Sequence, residues 1–374
     1  MNGLGQFFTG KVVLITGHTG FKGSWLSLWL TYLGAKVVGV SKDIPTRPSN
    51  FIVSSVSTKT DDRRIDILNA EAIEKLILEV QPDFVFHLAA QALVRPSYDN
   101  PLETLTTNSI GTANVLEALR KLEKEVAVVM ITSDKVYDNV EWVWGYRETD
   151  RLGGKDPYSA SKAMAEIVIR TYVESYFNTE DSNVHIGIAR AGNVIGGGDW
   201  ALDRIVPDCM TAWSQDKVVD IRNPWATRPW QHVLEPLSGY LLLAAHLVLK
   251  TNKHGKPYNF GPSTPQDYSV QELINELSKH WNSVRWNDVS KGQQHLHEAG
   301  LLKLNCDKAL YDLHWQPTLQ FKETIHMTVE WYKEYYQNLM KSRDCSMYDF
   351  SISQINEYSD LAKKRDISWT GKIK

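Results

Sequence analysis

The sequence predicts an α/β protein whose centre is a doubly wound parallel sheet, followed by a smaller, mixed α/β C-terminal domain. Three observations support this prediction. Strand-like and helix-like segments alternate through the first half of the chain, a glycine-rich turn follows the first strand, and polar residues stand directly after later strands. This alternation is typical of Rossmann-type folds, in which ligands bind at the carboxyl ends of the strands.

The first predicted strand covers residues 11–16, a run rich in valine, leucine and isoleucine. It leads into the turn Gly17-His18-Thr19-Gly20-Phe21-Lys22-Gly23, and the apolar helix at 25–33 ends before Gly34. Glycines in such a turn let the backbone approach a pyrophosphate, and the helix N-terminus offers unpaired N–H groups. Because the glycine spacing alone is a weak signal, it is the strand–turn–helix setting that predicts a dinucleotide site.

The second predicted strand, at 36–40, indicates which dinucleotide is bound. Asp43 follows this strand and lies 20 residues after Gly23. An acidic group at this place suits a ribose hydroxyl and repels a 2′-phosphate. NAD is therefore favoured over NADP, although Lys42 and Arg47 lie nearby.

The remaining elements suggest three divisions of the chain. The first half continues with a short strand around 64–67, a helix at 70–80, a strand at 84–88, a helix at 102–122, a strand at 126–132, a helix at 158–176 and a strand at 185–190. The looser second half has a strand at 217–222 and helices at 234–249, 270–281, 307–313 and 321–340. We predict a dinucleotide-binding domain over 1–192, a substrate domain over 193–340 and an extension of unknown role over 341–374.

Composition excludes several classes of protein. The net charge is −3 over 374 residues and basic residues form no stripe, so a general nucleic-acid binder is not expected. The three cysteines and eleven histidines show no metal-like spacing, so no metal is predicted. The most apolar helix, at 237–249, is too short to span a bilayer. We expect a soluble, cytoplasmic protein with no membrane partner.

Two short motifs carry the predicted chemistry. Ser133-Asp134-Lys135 stands directly beyond a strand, and Tyr158 follows 25 residues after Ser133, with Lys162 four residues later. Residues four apart share a helix face, and an ammonium group there favours a phenolate. A phenol poised near neutrality can take a proton from a sugar hydroxyl while hydride leaves the same carbon. The same spacing also occurs in surface pairs, so the interpretation depends on the neighbouring dinucleotide site.

With these motifs, the chain resembles an extended short-chain dehydrogenase/reductase of the nucleotide-sugar-modifying branch, and within it the CDP-D-glucose 4,6-dehydratase family. The resemblance runs from about residue 10 to about 340 and is carried by 17–25, 87–91, 107–108, 131–135, 141–147, 189–194, 196–200 and 228–233. It implies a lyase that converts CDP-D-glucose to CDP-4-dehydro-6-deoxy-D-glucose with NAD. It also implies a role in deoxysugar biosynthesis, as for the lipopolysaccharide O-antigen.

The resemblance implies a role for each catalytic residue. Tyr158 is the base at C4, and Lys162 is its electrostatic partner and a nicotinamide-ribose ligand. Ser133 hydrogen-bonds the C4 oxygen, and Asp134 protonates the departing C6 hydroxyl, for which burial must raise its pKa.

Lys135 departs from the pattern of the related dTDP-glucose dehydratases, which carry a glutamate that removes the C5 proton. A lysine is a base only when it is desolvated or crowded by other cations. The interpretation favoured here is that Lys135 is the base. Two alternatives stay open: a charged Lys135 that stabilises the enolate, and a structural salt bridge.

The predicted ligand contacts combine these motifs with the resemblance. Cofactor contacts are expected from Gly17, His18, Gly20, Phe21, Lys22, Gly23, Asp43, Asp66, Ile67, Ala89, Ala90, Asn108, Thr132, Tyr158 and Lys162. Substrate contacts are expected from Gln91, Arg95, Asn193, Arg204, Arg222, Arg228 and Trp230. The arginines are chosen because planar guanidinium forks suit diphosphate oxygens, although solvated surface arginines are common.

The resemblance further implies that the chain returns to the main sheet in its second half. It also implies a homodimer or homotetramer that pairs through the helices at 102–122 and 158–176. Two alternatives lie in the same superfamily: another nucleotide-sugar 4,6-dehydratase, or a 4-epimerase, which needs no acid and base beside Ser133. A non-enzymatic cofactor sensor on the same fold is a third. The intact set of Ser133, Tyr158 and Lys162 argues against the sensor.

Overall fold

A parallel sheet of seven strands forms the centre of the computed structural model, which describes residues 3–179, 181–263, 268–282, 284–290, 301–341 and 346–373. The strands are β1 Val12–Thr16, β2 Lys36–Val40, β3 Asp61–Arg63, β4 Phe84–His87, β5 Val126–Ile131, β6 Val184–Ala191, β7 Val194–Ile195, β8 Val219–Ile221, β9 Thr227–Arg228, β10 Gln231–His232, β11 Pro257–Phe260, β12 Tyr268–Ser269 and β13 Trp286–Asp288. The order in the main sheet is β11-β6-β5-β4-β1-β2-β3. This is the doubly wound Rossmann-type arrangement that the sequence predicts.

Helices cover both faces of this sheet. They are α1 Gly5–Phe8, α2 Phe21–Tyr32, α3 Asn50–Val53, α4 Ala70–Val80, α5 Val94–Asp99, α6 Pro101–Leu105, α7 Gly111–Leu119, α8 Pro157–Tyr172, α9 Ile205–Ser214, α10 Leu234–Val248, α11 Val270–Leu277, α12 Asp307–Leu313, α13 Phe321–Met340 and α14 Tyr348–Lys364. One-turn π-helices follow α6 at Thr106–Ile110 and α8 at Val173–Phe177. None of the helices described here is long and apolar enough to cross a membrane.

The strands are apolar on both faces because each face meets a helix layer. In β1, Val13 and Ile15 pack into a core with α2, α10, α13 and α14, whereas Leu14 packs into a second core with α4, α7 and α8. β5 alternates in the same way, with Val129 in the first core and Val128 in the second. The period of two follows from the pleat of a strand, and double-sided burial produces the continuous apolar runs in the sequence.

The second half of the chain contributes one strand to the main sheet. β11 pairs in parallel with β6, so the expected return of the chain is present. The other late strands form three small two-stranded pairs, β7 with β10, β8 with β13, and β9 with β12. The division into domains at residue 193 stays a prediction.

Some predicted elements were misplaced and others were missed. The short strand expected around 64–67 is β3, Asp61–Arg63, and the helix expected at 102–122 is the run from α6 to α7, which ends at Leu119. α9 and α14 were not predicted. The buried positions of α14 follow helical spacing, but two of them are polar, which hides the apolar pattern: Ser351, Gln354, Ile355, Tyr358 and Ala362.

The C-terminal extension packs directly on α2, the helix that begins at the glycine turn. Trp29 of α2 meets Tyr358 and Trp369 edge-to-face, with ring centroids 5.8 Å and 5.9 Å apart. Trp331 of α13 donates from Nε1 to Ser351 Oγ at 2.9 Å. The extension is therefore part of the main core and holds α2 from outside.

We expect Trp369→Ala to lower the free energy of unfolding by about 3–5 kcal/mol, because it removes a buried aromatic ring from this contact. Tyr311→Ala, at an aromatic residue that is 84% exposed, serves as the control and should cost less than about 0.5 kcal/mol. Urea denaturation followed by tryptophan fluorescence measures both. Equal stability of Trp369→Ala and the parent protein would show that the extension does not support the core.

Candidate active site

The glycine turn after β1 forms a tight cradle at the carboxyl end of the sheet. Gly17 has φ +77°, and a Cβ atom there would lie 2.7 Å from the backbone nitrogen of Ala89. A Cβ on Gly23 would lie 2.1 Å from the carbonyl oxygen of Gly17, so the turn closes only with glycine. Gly20 precedes α2, whose first N–H groups lack partners within the helix. This arrangement fits the phosphates of a dinucleotide.

His18 joins the glycine turn to β2 and β3. Its ring is fully buried, with Nδ1 3.1 Å from Ser41 Oγ and Nε2 2.9 Å from Asp62 Oδ1. Burial lowers the pKa of the imidazole, with Asp62 acting in the opposite direction. Both ring nitrogens have protein partners, so we assign His18 to holding β2 and β3 against the turn. Its predicted direct contact with the cofactor is not favoured by this geometry.

The residues expected at the adenosine end lie beyond β2 and β3. Asp43 is exposed, and its carbonyl oxygen accepts a hydrogen bond from Thr19 Oγ1 at 2.7 Å, which places it beside the glycine turn. The carboxylate of Asp66 accepts the backbone N–H of Leu68 at 2.9 Å. Ile67 is buried against Gly111.

Asn108 connects the segment after β4 to α8. Its Oδ1 accepts the N–H of Gln91 at 2.8 Å, and its Nδ2 donates to the carbonyl oxygen of Gln91 at 3.0 Å and to Ser161 Oγ at 2.7 Å. Ala89, two residues before Gln91, packs on Gly17, and Ala90 lies half-buried between them. Because protein partners occupy the Asn108 amide, we assign this side chain to fixing the position of residues 89–91, which follow β4.

The predicted catalytic residues meet directly beyond β5. Ser133 and Asp134 are buried, and Ser133 Oγ donates to Asp134 Oδ1 at 2.9 Å. Tyr158, in the first turn of α8, also forms a hydrogen bond with Ser133. Lys135 follows on the same short 3₁₀ turn and is half-buried. The structure therefore brings these residues together as predicted.

The phenol of Tyr158 is not poised near neutrality in this structure. Burial raises its pKa to about 12; its hydrogen bond with Ser133 and the charge of Arg204 act to lower it, while Asp134 raises it further. The expectation of a near-neutral phenol was therefore wrong for the protein alone. A tyrosine on a helix face gives no sign in the sequence that it will be this deeply buried.

Three cationic side chains, Lys22, Lys162 and Arg204, act on one another or on the catalytic residues through their charges. Burial lowers the pKa of Lys162 to about 8, with the charge of Lys22 acting in the same direction. Burial also lowers the pKa of Lys22 to about 8, assisted by Arg204 and opposed by Asp134. Lys22, although part of the glycine turn, thus belongs electrostatically to the catalytic group. Its contact with a cofactor phosphate stays a prediction.

The arginines expected to bind substrate are held by acidic residues. Arg204 Nη1 donates to the buried Asp199 at 2.8 Å, and the Asp199 charge is the main reason why the pKa of Arg204 is raised despite burial. Arg95 and Arg222 share one carboxylate, with nitrogens 3.1 Å and 2.9 Å from Asp203 Oδ1. Arg95 and Arg222 therefore lie side by side.

The motif at 228–232 is packed against the segment that carries Asn193. The carbonyl oxygen of Asn193 accepts the N–H of Gln231 at 3.1 Å. Arg228 is buried and donates from Nη1 to the carbonyl oxygen of Thr227 at 2.8 Å. Trp230 is also buried, and its indole Nε1 has no hydrogen-bond partner among the described residues.

Comparison with known proteins decides the family. Residues 14–328 match the protein family described as GDP-mannose 4,6 dehydratase. The chain belongs to this family. It is 47% identical to the CDP-glucose 4,6-dehydratase of Salmonella typhimurium (strain LT2) over 332 residues, which are 88% of this chain and 92% of that protein. The predicted resemblance is confirmed.

Several solved structures have the same fold as this chain. The dTDP-glucose 4,6-dehydratase DesIV from Streptomyces venezuelae, crystallised with NAD, has a TM-score of 0.71 at 24% identity and covers 86% of this chain and 97% of its own. The UDP-glucuronic acid 4-epimerase from Bacillus cereus, in complex with UDP-glucuronic acid and NAD, has a TM-score of 0.74 at 24% identity. It covers 87% of this chain and 100% of its own. At this identity the likeness concerns the fold.

Sequence reasoning missed the acidic residues that organise this family member's site. Asp199 holds Arg204, and Asp203 joins two other arginines. Both lie in the loop between Gly198 and α9, where no periodicity points to a partner. Glu166 was also missed, although its position four residues after Lys162 places it on the catalytic face of α8.

We expect Lys22→Met to raise the pKa of Lys162 above about 8, because it removes the charge that assists burial in lowering it. The charged form of Lys162 should then persist to higher pH. Competitive acetylation of the lysines across pH, with quantification of each peptide by mass spectrometry, measures this shift. Lys36→Met, at an exposed lysine in β2, is the control, and an unchanged Lys162 titration in Lys22→Met would refute the coupling.

Proposed function

We propose that this chain is an NAD-dependent CDP-D-glucose 4,6-dehydratase, a hydro-lyase that forms CDP-4-dehydro-6-deoxy-D-glucose. The observation that carries the proposal is the hydrogen-bonded group of Ser133, Asp134 and Tyr158 beyond β5, with Lys135 on the same turn. The preference for a cytidine nucleotide rests on the 47% identity to the Salmonella enzyme. Its product is a precursor for deoxysugars such as those of the lipopolysaccharide O-antigen.

The turn after β1 would hold NAD. Gly17, Gly20 and Gly23 leave room for the pyrophosphate at the N-terminus of α2, and Asp43 would accept the ribose hydroxyls. Bound there, NAD would supply the hydride acceptor for C4 of the sugar and the hydride donor for C6, and its oxidised nicotinamide ring would carry a positive charge. A positive charge close to Tyr158 would favour the phenolate, which burial alone disfavours in this structure.

The chain's own residues move the protons. Tyr158 Oη takes the proton of the C4 hydroxyl, and Ser133 Oγ holds the C4 oxygen. The resulting ketone makes the C5 proton acidic, and Lys135 Nζ removes it. Asp134 then protonates the C6 hydroxyl, which leaves as water. Lys135 returns its proton to C5 when C6 is reduced, and the proton gained by Tyr158 balances the one lost by Asp134.

Two features separate this function from 4-epimerisation, which the same fold also supports. An epimerase needs the serine, tyrosine and lysine but no acid and base beside the serine. Here Asp134 is buried next to Ser133, and Lys135 is its neighbour on the turn. We propose Lys135 as the base because it stands where the related dTDP-glucose dehydratases carry a glutamate, and because it adjoins the proposed acid, Asp134, on the same turn.

Incubation of the purified protein and NAD with CDP-glucose, and in parallel with dTDP- and GDP-linked sugars, tests the proposal. We expect loss of one water from CDP-glucose, seen by mass spectrometry, with no net NADH. A product of unchanged mass would instead indicate epimerisation, and accumulating NADH would indicate a simple dehydrogenase.

Replacement of Lys135 should separate oxidation from water loss. In Lys135→Met, dehydration is expected to fall by about 10²–10⁴-fold, the usual contribution of a general base, while C4 oxidation still produces NADH in a single turnover. Lys155→Met removes an exposed lysine three residues before Tyr158 and should behave as wild type. Wild-type dehydration by Lys135→Met would assign the C5 proton to another group.

We also propose that the chain forms a dimer through α6 and α8. These two helices pack together, and with the π-helix that follows α6 they leave large apolar side chains exposed, namely Leu102 at 78%, Ile110 at 53%, Met164 at 43% and Ile167 at 54%. Exposed apolar residues on adjoining helices are typical of a surface that a second subunit covers.

Ile167→Glu should therefore convert the dimer to a monomer in sedimentation velocity, because it places a charge within the apolar contact. Leu310→Glu, at a residue that is 49% exposed on α12, is the matched control and should leave the assembly unchanged. A wild-type protein that already sediments as a monomer would contradict this proposal.

A further inference from the structure

A fully buried ion pair lies beneath the catalytic residues. Glu166 of α8 and Arg190 of β6 have no exposed side-chain surface, and Arg190 Nε donates to Glu166 Oε2 at 2.9 Å. A second hydrogen bond joins Arg190 Nη2 to Glu166 Oε1. Arg170, on the next turn of α8, also donates to Oε1 at 3.0 Å. The fork geometry gives the carboxylate a defined orientation.

This pair contacts both ends of the segment that carries Ser133, Asp134 and Lys135. On the N-terminal side, the hydroxyl of Thr132 donates to Glu166 Oε2 at 3.2 Å. On the C-terminal side, Arg190 Nη1 donates to Tyr137 Oη at 2.6 Å, and the guanidinium lies 4.8 Å from the centre of that ring. The three catalytic positions stand between these two anchors.

Glu166 also belongs to the helix that carries the other catalytic residues. It follows Tyr158 by eight residues and Lys162 by four, so all three share one face of α8. The carboxylate therefore joins α8 to the end of β5. No other described side chain both lies on α8 and hydrogen-bonds a residue directly before Ser133.

We propose that Glu166 is a positioning residue, which fixes the Tyr158–Lys162 face of α8 relative to the Ser133–Lys135 turn through the hydroxyl of Thr132. Thr132 was expected to contact the cofactor, but its hydroxyl is directed to Glu166 and its N–H to the carbonyl oxygen of Ala189. The hydrogen bond between Ser133 and Tyr158 depends on this relative placement of α8 and the turn. Small displacements between reacting groups reduce rates strongly.

Thr132→Val tests this link without breaking the ion pair, whereas Glu166→Gln would leave Arg190 buried without its carboxylate. We expect kcat for CDP-glucose to fall about tenfold, as for one lost hydrogen bond of about 1.4 kcal/mol, with KM changed less than about twofold. Thr132→Ser keeps the hydroxyl and should restore kcat to within about twofold. Thr328→Val removes the hydroxyl of another buried threonine, on α13, and is the matched control.

Hydrogen exchange supplies a readout that needs no turnover. The backbone amides of residues 133–137 should exchange faster in Thr132→Val than in the wild type, and those in Thr328→Val should not. Wild-type kcat and exchange in Thr132→Val, or equal impairment of the Val and Ser variants, would overturn the proposal. The kinetic arm rests on the proposed dehydratase function. A wild type that does not dehydrate CDP-glucose would overturn that function, and the exchange comparison would still decide the role of Glu166.

Discussion

The burial of charge at the carboxyl ends of β5 and β6 is the constraint on which the rest of the site depends. Burial lowers the pKa of Lys22 and of Lys162 to about 8 and raises the pKa of Tyr158 to about 12. Asp134 opposes the effect of burial on Lys22, and beneath these groups the buried Glu166 and Arg190 neutralise each other through direct hydrogen bonds. A nucleotide diphosphate would add negative charge where cations are concentrated.

This electrostatic arrangement explains why the site suits elimination as well as oxidation. Oxidation needs only a phenol, a serine and a lysine. Water loss also needs an acid beside the reacting oxygen and a base. The proposed pair is Asp134, which accepts a hydrogen bond from Ser133, and Lys135, its neighbour on the same turn. The C-terminal extension supports the same site indirectly, since it holds α2 and hence the glycine turn.

The parts of this structure that the sequence predicts are those set by local pattern. β1, the glycine turn and the Tyr158–Lys162 face each follow from residues close together in the chain, and all three are present. The helix α14 was missed because Ser351 and Gln354 occupy buried positions, where they bond to Trp331 and to the carbonyl oxygen of Met327. Pairs such as Glu166–Arg190 join residues from different elements, and the high pKa of Tyr158 arises from burial, so neither is visible in local spacing.

The central claim is that hydrogen removed from C4 of the sugar returns to C6 of the same molecule while water leaves. Turnover of CDP-glucose that carries deuterium at C4, followed by nuclear magnetic resonance of the product, tests it most directly. The account predicts deuterium at C6 and none at C4. Deuterium retained at C4, or released into NADH, would contradict it.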